Sequence, residues 1–134
     1  MSRSLGVDYG TKRVGLAISD SLGITARPLS VVPRSAVVEE VVNLVKEHDV
    51  GTIVVGLPTG LSGGEGISAS EARKLADALG VAAGVEVILV DERYTSRMAE
   101  ETLLDSGMKR RKRRESVDKV AAAIILQDYL DRTK

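Results

Sequence analysis

The sequence predicts an α/β protein in which a mixed five-stranded sheet, an antiparallel meander completed by parallel strands, is flanked by helices. Three observations carry this reading. Short apolar runs open the chain with only a few turn residues between them. From residue 36 onward, segments of helical apolar spacing alternate with continuous apolar runs, the signature of strand–helix–strand units. No internal repeat or linker-like stretch interrupts the 134 residues, so residues 1–134 are expected to form a single domain.

Taken in order, Leu5 to Tyr9 and Val14 to Ser19 are apolar runs joined by the turn residues Gly10-Thr11-Lys12-Arg13, which favours a hairpin. Asp20-Ser21-Leu22-Gly23 is the next turn. A weaker extended run spans Ile24 to Val32, and its prolines, Pro28 and the following Pro33, cannot donate to a ladder, so it belongs at an edge. Ser35 is a suitable N-cap for a helix from Ala36 to Glu47, where Val37, Val38, Val41, Val42, Leu44 and Val45 recur at helical spacing. Thr52 to Gly56 reads as a central parallel strand, apolar on both faces. Leu57 to Gly66 is a Gly-rich loop, followed by a helix over about residues 68–80. Val85 to Val90 is a second buried strand ending at Asp91-Glu92. A helix over about residues 96–106, a basic stretch and a final helix over about residues 116–130 complete the chain.

Composition narrows the function classes. The apolar share of 43% and charged share of 28% are those of a globular protein. With no cysteine there is no disulfide, thiolate zinc site or cysteine nucleophile. No apolar run reaches the ~18 residues of a membrane span, and no leader-like pattern opens the chain, so a cytoplasmic protein with no membrane partner is expected. Tyr9, Tyr94 and Tyr129 are the only aromatics, which argues against a base-stacking platform. The formal net charge of zero hides an uneven distribution. Residues 93–114 carry eight basic side chains against three acids, whereas residues 1–92 carry eight against twelve. A polyanion responds to that local field, not to the total.

Three acids stand out by position. Asp8 ends an apolar strand, where a buried carboxylate is costly without a cation or hydrogen-bond donors. Glu92 ends the last strand. Asp118 opens a helix with a small apolar face of Ala121, Ala122 and Ile125. Parallel strands bring their carboxyl ends to one edge, where α/β sites form. Two strand-end acids and one helix acid could converge on a pair of hard cations ~3.5–4 Å apart, the arrangement that cleaves phosphodiesters in line. Each acid also has a plainer role. Asp8 suits the turn before Gly10, Glu92 suits a solvated terminus or a salt bridge to Arg93, and Asp118, with Ser116 as N-cap, suits the first turn of a helix.

Lys109, Arg110, Arg111, Lys112, Arg113 and Arg114 are the prime candidates for phosphate contacts, the alternative being a solvated loop between helices. Lys12 and Arg13 flank the first strand and could meet a scissile phosphate. Gly63-Gly64-Glu65-Gly66 lacks the Lys-Ser/Thr ending of a P-loop and reads as a flap or long turn. His48, late in its helix, suits the C-terminal dipole better than catalysis.

Four motifs together resemble the YqgF family: Val7-Asp8-Tyr9-Gly10 with Arg13 and Gly15; Val55-Gly56-Leu57-Pro58; Val90-Asp91-Glu92-Arg93 with Thr95-Ser96; and Asp118 followed by Ala121-Ala122 and Ile125-Leu126. They span essentially the whole chain. The resemblance implies the RNase H-like fold of Holliday junction resolvases, and a protein of the kind named putative pre-16S ribosomal RNA nuclease. It further implies that Asp8, Glu92 and Asp118 are catalytic, metal-binding acids for Mg²⁺ or Mn²⁺, in a two-metal site acting at the 5′ end of the ribosomal RNA precursor. Asp91 stays open as the alternative to Glu92, because a one-residue slip swaps faces.

The expected partners are therefore pre-ribosomal RNA or a four-way DNA junction, together with ribosomal precursor particles; monomer and homodimer both stay open. Asp8-Tyr9-Gly10-Thr11 also resembles the first phosphate loop of actin-like and sugar-kinase ATPases, but those enzymes close two such domains around the nucleotide. A junction resolvase would need two sites in a symmetric dimer. A non-catalytic ribosome-assembly module is the third alternative.

Overall fold

The computed structural model describes residues 2–9, 13–58, 69–92 and 110–133. Its sheet is built from β1 (Arg3–Tyr9), β2 (Arg13–Ser19), β3 (Ala26–Pro33), β4 (Val50–Pro58) and β5 (Glu86–Glu92), with α1 (Val37–His48), α2 (Ala69–Ala83) and α3 (Arg110–Arg132) against it. The strand order is β3-β2-β1-β4-β5. β1–β2 and β2–β3 pair antiparallel, whereas β1–β4 and β4–β5 pair parallel. This is the predicted meander followed by parallel strands, with the proline-bearing β3 at an edge.

Strand alternation divides the core into two layers. On one face, Leu5 and Val7 of β1 join Val14, Leu16 and Ile18 of β2, and α1 and α2 cover them with Val41, Leu44, Leu75 and Leu79. On the other face the strands offer small residues, Ala17 with Val54, and α3 covers them with Ala122, Ile125, Leu126 and Leu130. α3 sits very close to the sheet. A Cβ added at Gly6 would lie 2.8 Å from the Ala122 carbonyl oxygen and 2.9 Å from the Leu126 Cβ. Glycine weakens a strand interior, and here it marks the point where a helix backbone meets the strand.

The β2–β3 turn is organised by Asp20. Its Oδ1 accepts hydrogen bonds from the Ile24 amide at 2.7 Å and the Thr25 amide at 3.2 Å. The Ile24 amide foremost, against some desolvation, draws the carboxyl pKa below its ordinary 3.8.

Several boundaries differ from those predicted. Ser35 does not cap α1: it lies inside a 3₁₀ turn over Arg34–Ala36, and Ala36 occupies the cap position without a side-chain bond. The restricted conformation preceding that turn is set by Pro33, extended at φ −63° and ψ 151°. Leu57 and Pro58, expected in the loop, continue β4, because β5 runs far enough to pair with them. α2 passes through Gly80 to Ala83. α3 begins at Arg110 rather than near residue 116, so Ser116 is no cap and Arg110 to Arg114 are helical rather than a loop. The helix expected over residues 96–106 and the flap residues 63–66 lie outside the described residues.

Two outcomes follow from these contacts. Gly6→Ala forces α3 off the strand and costs about 1–3 kcal/mol in chemical denaturation. Gly80→Ala instead adds a Cβ at an ordinary 3.4 Å from Val87 Cγ2 within α2, and is expected to stabilise by about 0.5–1 kcal/mol. Asp20, with its lowered folded pKa, contributes stability that is complete above the unfolded value of 3.8 and lost as pH falls through the folded value. The difference in melting temperature between the native protein and Asp20→Ala is therefore expected to be constant near neutrality and to close in acid; a gap that widens in acid would contradict this.

Candidate active site

Asp8 is the penultimate residue of the central strand, 5% exposed although charged. By alternation it shares the face of Gly6, the face that α3 covers. Its neighbours in register are glycine on one side, Gly15 of β2 paired directly with Asp8, and on the other Gly56, which follows the Val7–Val55 pair in β4. Gly15 and Gly56 are themselves buried, so the strands beside Asp8 carry no side chain at its level.

The direction of α3 follows from its far end. Gln127 accepts a hydrogen bond from the Ala26 amide at 2.8 Å and donates to the Ile24 carbonyl at 2.9 Å. Ala26 pairs with Ser19, whose Oγ takes the Ser4 amide at 2.8 Å. The C-terminal half of α3 therefore lies where β1 begins, and the helix runs back toward the carboxyl end of β1. From the contact at Gly6 and Ala122, Asp8 lies two residues along the strand, ~6.6 Å, and Asp118 one turn back along the helix, ~6 Å. Residues 8 and 118 thus advance together to the same edge.

Residue 92 reaches that edge by strand register. β1, β4 and β5 are parallel, and Pro58 pairs with Glu92. Val90 packs in the α3 layer and Val87 in the opposite one. Alternation puts position 92 on the face of Asp8 and position 91 on the other. β4 stands between β1 and β5, so Asp8 is level with Val90 across Gly56, and position 92 lies two residues further along β5, ~12 Å from position 8 in the backbone. Asp118 lies in the third turn of α3, not the first, because the helix starts eight residues earlier at Arg110. Its plainer explanation, an acid favoured by an N-terminal dipole, therefore falls away.

Of these three acids, Asp8 is the one whose side chain is described, and among the described residues no three His, Cys, Asp or Glu side chains form a metal-binding group. Arg13, the first residue of β2, is exposed, and by alternation it shares the Asp8 face, two residues beyond Gly15. Lys12 and Lys109 lie outside the described residues. Arg110, Arg111, Lys112, Arg113 and Arg114 form the opening turns of α3 in the backbone, at the end of the helix that points past the carboxyl edge of β1.

One cluster has no counterpart in the sequence reading. Arg34 donates to the Tyr9 hydroxyl from Nε at 3.0 Å and from Nη2 at 2.7 Å, and Nη2 also meets Glu71 Oε2 at 3.1 Å. The Tyr9 hydrogen bond, opposed by partial burial and reinforced by Glu71, raises the guanidinium pKa further. Residues 25 and 37 positions apart meet here, and nothing in local spacing could announce such a pair.

The fold and the site define a class: an RNase H-like α/β protein with a buried acid at the carboxyl edge of its central strands. The RuvX family, described as Holliday junction resolvase, matches residues 2–132. Relatives named "Putative pre-16S rRNA nuclease" include those of Syntrophus aciditrophicus, 46% identical with 96% of this chain and 88% of the relative covered, and Halalkalibacterium halodurans, 44% identical with 97% and 96% covered. The chain belongs to the RuvX, or YqgF, family. Among solved structures, Thermus thermophilus RuvC in complex with a Holliday junction substrate aligns at a TM-score of 0.60 and 20% identity, over 99% of this chain and 96% of that one. The fowlpox virus Holliday junction resolvase aligns at 0.55 and 15% identity, covering 97% and 99%. At those identities the likeness concerns the fold.

Proposed function

We propose that the protein is a single-domain, metal-dependent nuclease of residues 1–134, hydrolysing phosphodiester bonds during maturation of the 5′ end of pre-16S ribosomal RNA in the cytoplasm. The observation that carries the proposal is Asp8, a carboxylate kept 5% exposed at the carboxyl end of the central strand. Its face and edge are also those of position 92 and of the α3 turn holding residue 118. The names of the relatives support the substrate, and membership of the RuvX family supports the chemistry.

Mg²⁺ or Mn²⁺ suits this donor set, because carboxylate oxygens are hard ligands and the chain has no cysteine to favour a softer metal. Asp8, Glu92 and Asp118 would hold the ions, which supply an activated water and stabilise the leaving oxygen in phosphodiester hydrolysis. The chain's own contribution is placement. Asp8 is fixed by a strand paired on both sides, and the glycines at 15 and 56 leave space on the sheet surface beside it. Arg13, Lys12 and Lys109 to Arg114 would hold the phosphate backbone without reading sequence. Five of these basic residues open a helix with no acid in its first turn, where the dipole disfavours cations. That arrangement costs stability in isolation and is relieved by a polyanion.

A four-way DNA junction is the second reading, supported by the family's description as Holliday junction resolvase. It requires a symmetric dimer, so failure to cleave junction DNA at a concentration where the protein is dimeric would contradict it.

Two experiments test the proposal. With Mn²⁺ and a pre-16S RNA substrate, Asp8→Asn and Glu92→Gln are each expected to lower kcat about 10²- to 10³-fold, equivalent to roughly 3–4 kcal/mol, whereas Asp91→Asn stays near native activity. Equal cleavage by native protein and Asp8→Asn would remove the metal site. Replacing Lys109 to Arg114 with glutamine is expected to weaken RNA binding and to flatten the plot of log affinity against log salt by about 0.7 for each phosphate no longer neutralised. An unchanged slope would make the run a solvated helix end.

A further inference from the structure

Asp8 and Tyr9 are consecutive in β1, so they address opposite faces of the sheet. On its own face Tyr9 is partly buried against the α1–α2 layer. Its hydroxyl receives two hydrogen bonds from Arg34, at 3.0 and 2.7 Å, and the Arg34 Cζ lies 4.6 Å from its ring centroid. Arg34 belongs to the 3₁₀ turn that follows β3, and Glu71, its carboxylate partner at 3.1 Å, belongs to the first turn of α2. One guanidinium therefore joins the acid-bearing end of β1 to the end of β3 and to the start of α2. A strand end is ordinarily the part that frays, and among the described residues β1 has only Tyr9 beyond Asp8.

We infer that Tyr9 and Arg34 are positioning residues, which hold the last residues of β1 so that the Asp8 carboxylate is fixed for a divalent cation. The inference rests on the metal-dependent reading above and adds residues outside the acidic set. The physical logic is that of outer-shell support: a ligand whose backbone moves by a fraction of an ångström loses affinity even when its own chemistry is unchanged. Arg34 is suited to the task because its planar fork binds an oxygen through two nitrogens at once, which fixes direction as well as distance. Neither residue is placed against substrate, since both act from the face opposite Asp8.

The test uses full-length Tyr9→Phe, Arg34→Gln, Arg34→Lys and Asp8→Asn. Mn²⁺ binding is measured by calorimetry, and cleavage kinetics are measured in parallel. Tyr9→Phe and Arg34→Gln are expected to weaken Mn²⁺ binding about tenfold with an unchanged circular dichroism spectrum. kcat should fall by a similar factor, with KM for RNA held within about twofold. Arg34→Lys, which can still donate to the hydroxyl, should recover part of the loss. Native Mn²⁺ affinity in Tyr9→Phe and Arg34→Gln, with binding abolished in Asp8→Asn, would overturn the positioning role and leave the metal site standing. Native Mn²⁺ affinity in Asp8→Asn would overturn the metal site and the inference with it. A raised KM and flatter salt dependence at native Mn²⁺ affinity would make Arg34 a phosphate contact, and would likewise overturn the inference.

Discussion

A helix lies against the middle strand of this sheet at a point where the strand has no side chain. The Gly6 position would put a Cβ 2.8 Å from the Ala122 carbonyl oxygen, so only hydrogen at that site lets α3 settle. That contact sets much of the remaining geometry. It brings Ala122 and Leu126 onto Ala17 and Val54 and closes the thinner of the two core layers, on the face that carries Asp8. It also fixes how far along the strand the acidic turn of α3 arrives. The opposite layer, built from larger residues such as Leu5, Leu16 and Leu79, carries most of the apolar burial and leaves this side free to be thin.

The sheet was legible because its signals are local. Leu5 to Tyr9, Val14 to Ser19 and Thr52 to Gly56 are apolar runs bounded by turns, and two prolines mark β3 as an edge. Helix starts were less legible, because a residue suited to capping need not stand at the cap. Ser35 looks like a cap, but Pro33 has already set the chain on an extended path into a 3₁₀ turn, and α1 begins without a side-chain cap. Arg110 to Arg114 resemble a loop in sequence because like charges repel and the N-terminal dipole disfavours cations. The same residues are good helix formers by intrinsic propensity, and the apolar face from Ala121 to Leu130 anchors a helix that extends back through them.

The placement of Asp8 was legible as a buried acid at a strand end, but what surrounds it was not. Whether position 91 or 92 shares its face depends on the register of β5 against β4, and register is a long-range property. The glycines beside Asp8 become meaningful only once Gly15 and Gly56 are known to lie on its two neighbouring strands. The bonds from Arg34 to Tyr9 and Glu71 join three separate elements and leave no trace in spacing. What unites these features is that β1 is held from both faces, by a helix backbone at Gly6 on one side and by a guanidinium at Tyr9 on the other.

The proposed role of this strand end is to hold divalent cations between carboxylates. The most direct measurement is anomalous diffraction at the manganese absorption edge from crystals grown with Mn²⁺. Anomalous density is expected within about 2–2.5 Å of the Asp8 carboxylate oxygens, shared with the carboxylates of Glu92 and Asp118. Manganese bound elsewhere on the protein, with Asp8 making no metal contact, would contradict it.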